Sequence, residues 1–265
     1  MIAAMPNRNT EKRVQDLAKF EIKRQPDDTT CGPTCLHAVY HFYGRDEALG
    51  TLTTEIPKTE GGGTLGVHLA LDALRRGYKA RILTWNLNVF DPTWFGHGKT
   101  VLVEKLRARE KVRREKKMRE SCRAYIEFLE GGGELELADL DAGLLRRFLR
   151  RGVPILTGLS STFLYREPRE HDDGREDDVA GDPAGHFVVL TGYDPEDRAV
   201  IVSDPMHPNP LATSHTYKVS MNRLIGAIFL GVITYDANLV VVEPPEESGG
   251  TASKERNVED DRRRQ

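Results

Sequence analysis

The spacing of apolar positions changes along the 265-residue chain, helical in its first part and strand-like toward its end. In CGPTCLHAVYHFYG (31–44), Cys35, Leu36, Val39, Tyr40 and Tyr43 share helical spacing, Pro33 fits a first turn and Gly44 is a stop. Cys31 therefore lies at or just before a helix N-terminus. Upstream, FEIKRQ (20–25) alternates weakly, as a short strand or an extended entry segment does. A GGGT turn leads into a second amphipathic helix, LGVHLALDALRRG (65–77), and YKARILTW (78–85) reads as a strand. Residues 99–130 read as one long, charge-rich helical stretch closed by Gly131, Gly132 and Gly133. A third core helix, ADLDAGLLRRFLRRG (138–152), precedes the strand VPILTGLS (153–160).

The clearest strands follow. HFVVLTGYD (186–194) and AVIVSDP (199–205) flank an Asp-Pro-Glu-Asp turn, which predicts a β-hairpin. LIGAIFLGVITY and NLVVVEPP are later core elements. Helices early and strands late predict an α+β fold, a single domain over 1–245 with a charged helical insertion around 99–130. The polar tail 246–265 is expected to be disordered.

Charge adds little bias: 38 basic against 41 acidic residues leave a net charge of -3, so no nucleic-acid partner is expected. The basic run 104–123 holds ten basic and four acidic residues without interleaved aromatics. It reads as a solvated helical arm and a candidate surface for a protein partner. No apolar run approaches the length of a membrane span, and the N-terminus lacks the apolar stretch of a signal peptide. A cytoplasmic location follows as the expectation, and three cysteines there are thiols rather than disulfides.

The chemistry gathers around Cys31. A thiol at a helix N-terminus sits in a positive field that favours thiolate, the reactive form. Such a nucleophile needs a base, an orienting group for the base, and donors for an oxyanion. The Cys31 backbone N–H and the Gln25 carboxamide are candidate donors. His186 opens one strand of the hairpin and Asp204 ends the other, so antiparallel pairing brings them together. Other readings stand beside this one. Cys35, four residues on, is a core residue or half of a redox pair. Cys31, Cys35, His37 and His41 contain zinc-type ligands, but one helix does not aim all four at one point. His37 and His41 are expected to be partly exposed. His207 and His215 are rival bases, His68 is a surface or core residue, and Cys122 has no evident thiol partner. Asp27 and Asp28 favour a turn before the helix. The acidic loop 166–178 lacks the spacing of a calcium loop and reads as solvated, with a place ahead of His186 that suits a lid.

Gln25, Cys31-Gly32-Pro33, Gly185-His186-Phe187-Val188-Val189-Leu190 and Val202-Ser203-Asp204-Pro205, in this order, resemble the C39-like cysteine peptidases. That family has a papain-like fold and includes the bacteriocin-leader peptidases. The resemblance implies N-terminal helices, with the nucleophile at a helix N-terminus, packed on a C-terminal antiparallel sheet. It implies Cys31 as nucleophile, His186 as general base and acid, Asp204 as orienting residue and Gln25 as oxyanion donor, with no cofactor or metal. The substrate would be a peptide or protein, glycine-rich at the cleavage site, and Gly32 would let substrate approach the thiol. On the same triad, acyl transfer to an amine is the alternative to hydrolysis. An inactive binding module on the same fold is the alternative to catalysis.

Overall fold

In the computed structural model, residues 8–60 and 62–245 are described. The tail 246–265, expected to be disordered, lies outside them. Seven strands form one sheet: β1 (Lys79–Thr84), β2 (Glu134–Glu136), β3 (Ile155–Ser160), β4 (Gly185–Asp194), β5 (Ala199–Ser203), β6 (Thr216–Ser220) and β7 (Asn238–Glu243). Their order across the sheet is β2-β1-β7-β3-β4-β5-β6. Among the described residues, only the β1–β2 pair is parallel. The last strand thus enters the middle of the sheet, antiparallel to both β1 and β3.

Helices cover both faces. The helices are α1 (Arg8–Leu17), α2 (Cys31–Phe42), α3 (Leu49–Glu55), α4 (Gly66–Arg75), α5 (Lys99–Val112), α6 (Lys116–Glu130), α7 (Ala142–Leu149) and α8 (Met221–Leu230). On one face α2, α4, α5 and α6 bury Leu36, Tyr40, Leu69, Leu106 and Phe128 against Leu156, Phe187, Val189 and Val240. On the other, α7 and α8 bury Leu145, Phe148, Leu224 and Ile228 against Val188, Leu190, Val200 and Val202. Strands buried on both sides read as continuous apolar runs, which is why VVL and VVV stand out in the sequence. The fold is α+β, with the cysteine-bearing helix packed on the sheet.

Two elements differ from the sequence reading. The charged stretch 99–130 is two helices, broken at Arg113–Glu115 and packed on each other. It is not simply a solvated arm: Met118, Cys122, Tyr125, Phe128 and Leu129 of α6 belong to the core. Its charges occupy the outer faces, which is what an amphipathic helix does with them. LIGAIFLGVITY is the end of α8 and a 3-10 turn, Gly231–Thr234, so helix recurs late in the chain. Ser220 starts α8 as its N-cap, its side chain accepting from the Arg223 N–H. Of the two readings of FEIKRQ, the entry segment holds: it forms no strand and is tied to the end of β5 by the Gln25 N–H donating to the Pro205 carbonyl at 2.9 Å.

One irregularity in the sheet matters for the site. Near the turn, Gly192 pairs with Ile201, Tyr193 with Val200 and Asp194 with Ala199. Beyond Thr191 the register slips by one, and Leu190 pairs with Val202 and Val189 with Ser203. Thr191 is the extra residue of a β-bulge. Side chains alternate faces along a strand, so a one-residue slip exchanges the faces that meet. The bulge therefore places Val202, and with it Asp204 two residues on, on the face carrying Leu190, Val188 and His186. Without the slip, Asp204 would share a face with Phe187 and Val189.

Candidate active site

Cys31 is the first residue of α2. The helix begins after a tight turn in which Asp27 Oδ1 accepts from the Thr29 N–H at 2.8 Å and the Thr29 hydroxyl at 2.7 Å. The Thr29 side-chain bond is the main reason the Asp27 carboxyl lies below its ordinary range. The turn thus absorbs Asp27, as its sequence position suggested. Gly32 is buried, and a Cβ there would meet Thr64 Cγ2 at 2.5 Å, with Leu69 and Phe187 next. Its smallness lets α2 seat against α4 and β4. Room for substrate, the sequence expectation, is not what this contact shows.

The structure brings Cys31, His186 and Asp204 together. His186 Nε2 lies 2.8 Å from Asp204 Oδ1, and both side chains are almost completely buried. Cys31 lies beside the same imidazole and contributes to holding its proton. Burial pushes the His186 imidazolium down, but the Asp204 charge, its hydrogen bond and Cys31 outweigh this, so His186 stays protonated well above its usual range. For Asp204, burial pushes the carboxyl up, while His186 and the tyrosines Tyr217 and Tyr165 pull it further down. The pair is a buried imidazolium and carboxylate.

Asp204 has partners the sequence reading did not find. Tyr165 and Tyr217 donate their hydroxyls to Oδ2 at 2.7 and 2.6 Å. Asn209 Nδ2 donates to the same oxygen at 2.9 Å, and the Met206 N–H donates to Oδ1 at 2.9 Å. These residues come from a short π turn (Thr162–Arg166), from β6 and from the loop after β5. None carries a local motif; only the fold gathers them.

Gln25 is buried beside this group. Its Nε2 donates to the Asp27 carbonyl at 3.0 Å, while its Oε1 is buried without a hydrogen-bond partner. The Nε2 carries two hydrogens, and the bond to Asp27 orients the second. The backbone bond from Gln25 to Pro205 fixes this segment next to the end of β5.

The other candidates lie elsewhere. Cys35 is fully buried, its thiol donating to the Phe187 carbonyl at 3.2 Å, and burial pushes it far above its ordinary range. Cys122 is buried in α6, and burial pushes it up to about 11. All three cysteines are free thiols. His37 is 4% exposed, against the expectation of partial exposure, because α2 is buried along nearly its whole circumference. His41, one turn on, is exposed. His68 is half-buried. His215 holds the backbone of Asp204, its Nδ1 2.7 Å from the Asp204 carbonyl, and His207 stacks on it with centroids 4.8 Å apart. The acidic loop is exposed along most of its length, as a solvated reading expects, and its own backbone also holds it together. Glu170 bridges to Glu176 and Asp182, and Asp177 Oδ1 accepts from the Val179 and Ala180 N–H groups at 3.0 and 2.8 Å.

A helix-borne thiol, a strand-borne imidazole and a carboxylate behind it thus meet at one place in the fold. Residues 143–226 match the model of the Peptidase_C39 like family, and this segment carries His186 and Asp204. Among solved structures, the chain is similar to the peptidase domain of Streptococcus ComA, a bi-functional ABC transporter involved in a quorum sensing pathway. The identity is 14%, the match covers 85% of this chain and 99% of that one, and the TM-score is 0.41. No curated protein matches the chain. Among the described residues, no helix is long and apolar enough to cross a membrane.

Proposed function

We propose that the protein is a cysteine peptidase acting through Cys31, His186 and Asp204. The observation that carries this reading is one buried imidazole, 2.8 Å from the Asp204 carboxylate, with the Cys31 thiol of the helix N-terminus beside it. Cys31 sulfur attacks a peptide carbonyl carbon, and the carbonyl oxygen becomes an oxyanion. The free hydrogen of Gln25 Nε2 and the Cys31 backbone N–H are its donors. His186 gives its proton to the leaving nitrogen, the C–N bond breaks, and an acyl thioester remains on Cys31. His186 then takes a proton from water, the hydroxide attacks the thioester, and the C–S bond breaks to release a carboxylic acid. Asp204 stays ionised throughout and holds the imidazolium.

The test is hydrolysis of a peptide library, read by mass spectrometry, with wild type, Cys31→Ala and His186→Ala. Wild type is expected to cleave, and each variant to lose about 10³-fold or more in kcat/KM. Cleavage by Cys31→Ala at the wild-type rate would refute the reading. A wild type that cleaves nothing but retains a bound peptide would favour a binding module instead.

A further inference from the structure

We propose that Tyr165, Tyr217 and Asn209 are positioning residues: three uncharged donors on Oδ2 keep Asp204 a carboxylate and turn its Oδ1 onto the His186 ring. The inference rests on the cysteine peptidase reading of the site.

A carboxylate offers about four lone-pair positions. Here five donors converge on Asp204: the Met206 N–H and His186 on Oδ1, and Tyr165, Tyr217 and Asn209 on Oδ2. Asp204 is 0% exposed, so without these donors its charge would meet the full penalty of desolvation. The kind of donor matters as much as the number. A lysine or arginine would hold the charge by cancelling it, and the pull on the imidazolium would fall. Hydroxyls and a carboxamide hold it and leave it negative. Among the described residues, the one ion-pair partner of Asp204 is His186.

The tyrosines are suited to stay donors. Burial first, and then the Asp204 charge, push both hydroxyls far above their ordinary range, so neither ionises near neutral pH. The two rings also arrive from separate elements, the π turn and β6, so they fix the carboxylate from two sides. The other titratable groups facing this cluster are Cys31 and Cys35 from α2 and His215, which binds the Asp204 main chain. Arg223 of α8 feels the Tyr217 hydroxyl.

The experiment is the pH dependence of Cys31 alkylation by iodoacetamide, read by peptide mapping on the full chain. It compares wild type, Tyr165→Phe, Tyr217→Phe and the double variant. The buried Cys35 and Cys122 are internal references. Phenylalanine removes only the hydroxyl and keeps the ring. Loss of a donor to the charged form raises a carboxyl, by about one pH unit for each bond of this kind. The acid limb, where protonation of Asp204 releases His186, is therefore expected to rise by about one unit per hydroxyl removed. Titration of the His186 ring nitrogens by ¹⁵N NMR reads the same carboxyl without the thiol. A merely structural role would lower the melting temperature and leave both titrations in place; unmoved titrations in the double variant overturn the proposal. The two readings fail separately. Variants whose limb moves as expected, beside a wild type that cleaves no peptide, keep the positioning role and lose the peptidase. A wild type that cleaves, with a double variant of unmoved limb, does the reverse.

Discussion

Asp236 shows what a buried carboxyl without the Asp204 donor set does. It lies just before β7, and its Oδ2 has only the Thr234 hydroxyl at 3.2 Å, while Oδ1 is buried without a partner. Burial raises this carboxyl to about 7, against smaller opposing effects of Lys117 and the Thr234 bond. The folded-state value is raised, so the favourable contribution is full below the unfolded value near 3.8 and is lost as pH rises through about 7. Asp236→Asn removes the titration. The variant is expected to match wild type near pH 3.5 and to exceed it by on the order of a few kcal/mol at pH 8. Urea unfolding at both pH values measures this; an equal midpoint at pH 8 would contradict it. The contrast with Asp204 is one of neighbours. The His186 charge and then the hydrogen-bond donors hold Asp204 below its ordinary range against burial, whereas burial carries Asp236, beside the Thr234 hydroxyl, up to about 7.

Among elements, α2, the hairpin and most strands were legible, because their apolar spacing is set by burial on one or both faces. The bulge was not. Hairpin logic correctly made His186 and Asp204 neighbours, but it ignored which faces meet, and Thr191 decides that. Nothing in LTG announces an extra residue. The closing donors were equally silent, since Tyr165 and Tyr217 each look like ordinary apolar positions. The charged stretch misled for a different reason. Its charge density hid a buried stripe, and Phe128 within it is fully buried. Phe128→Ala is expected to cost about 3–5 kcal/mol, whereas Arg119→Ala, on the exposed side, stays within about 0.5 kcal/mol. Chemical denaturation compares the two; similar losses would mean α6 is not part of the core.

At the scale of the molecule, the sheet depends on its last strand. β7 pairs with β1 on one side and β3 on the other, and it joins the β1–β2 pair to the β3–β6 group. Val240 and Val242 also enter the core beneath α2 and α4, and Leu239 and Val241 enter the opposite one. A chain ending before Asn238 is expected to lose its single cooperative thermal transition, read by circular dichroism. A sharp transition near the wild-type temperature would show that the two parts hold together without it.

This placement bears on the order of events during synthesis. The helix with Cys31 leaves the ribosome early, the hairpin with His186 and Asp204 much later, and β7 after both. Until β7 is made, β1 and β3 lack the strand that joins them. A nascent chain therefore carries its thiol for most of translation without a finished scaffold around it.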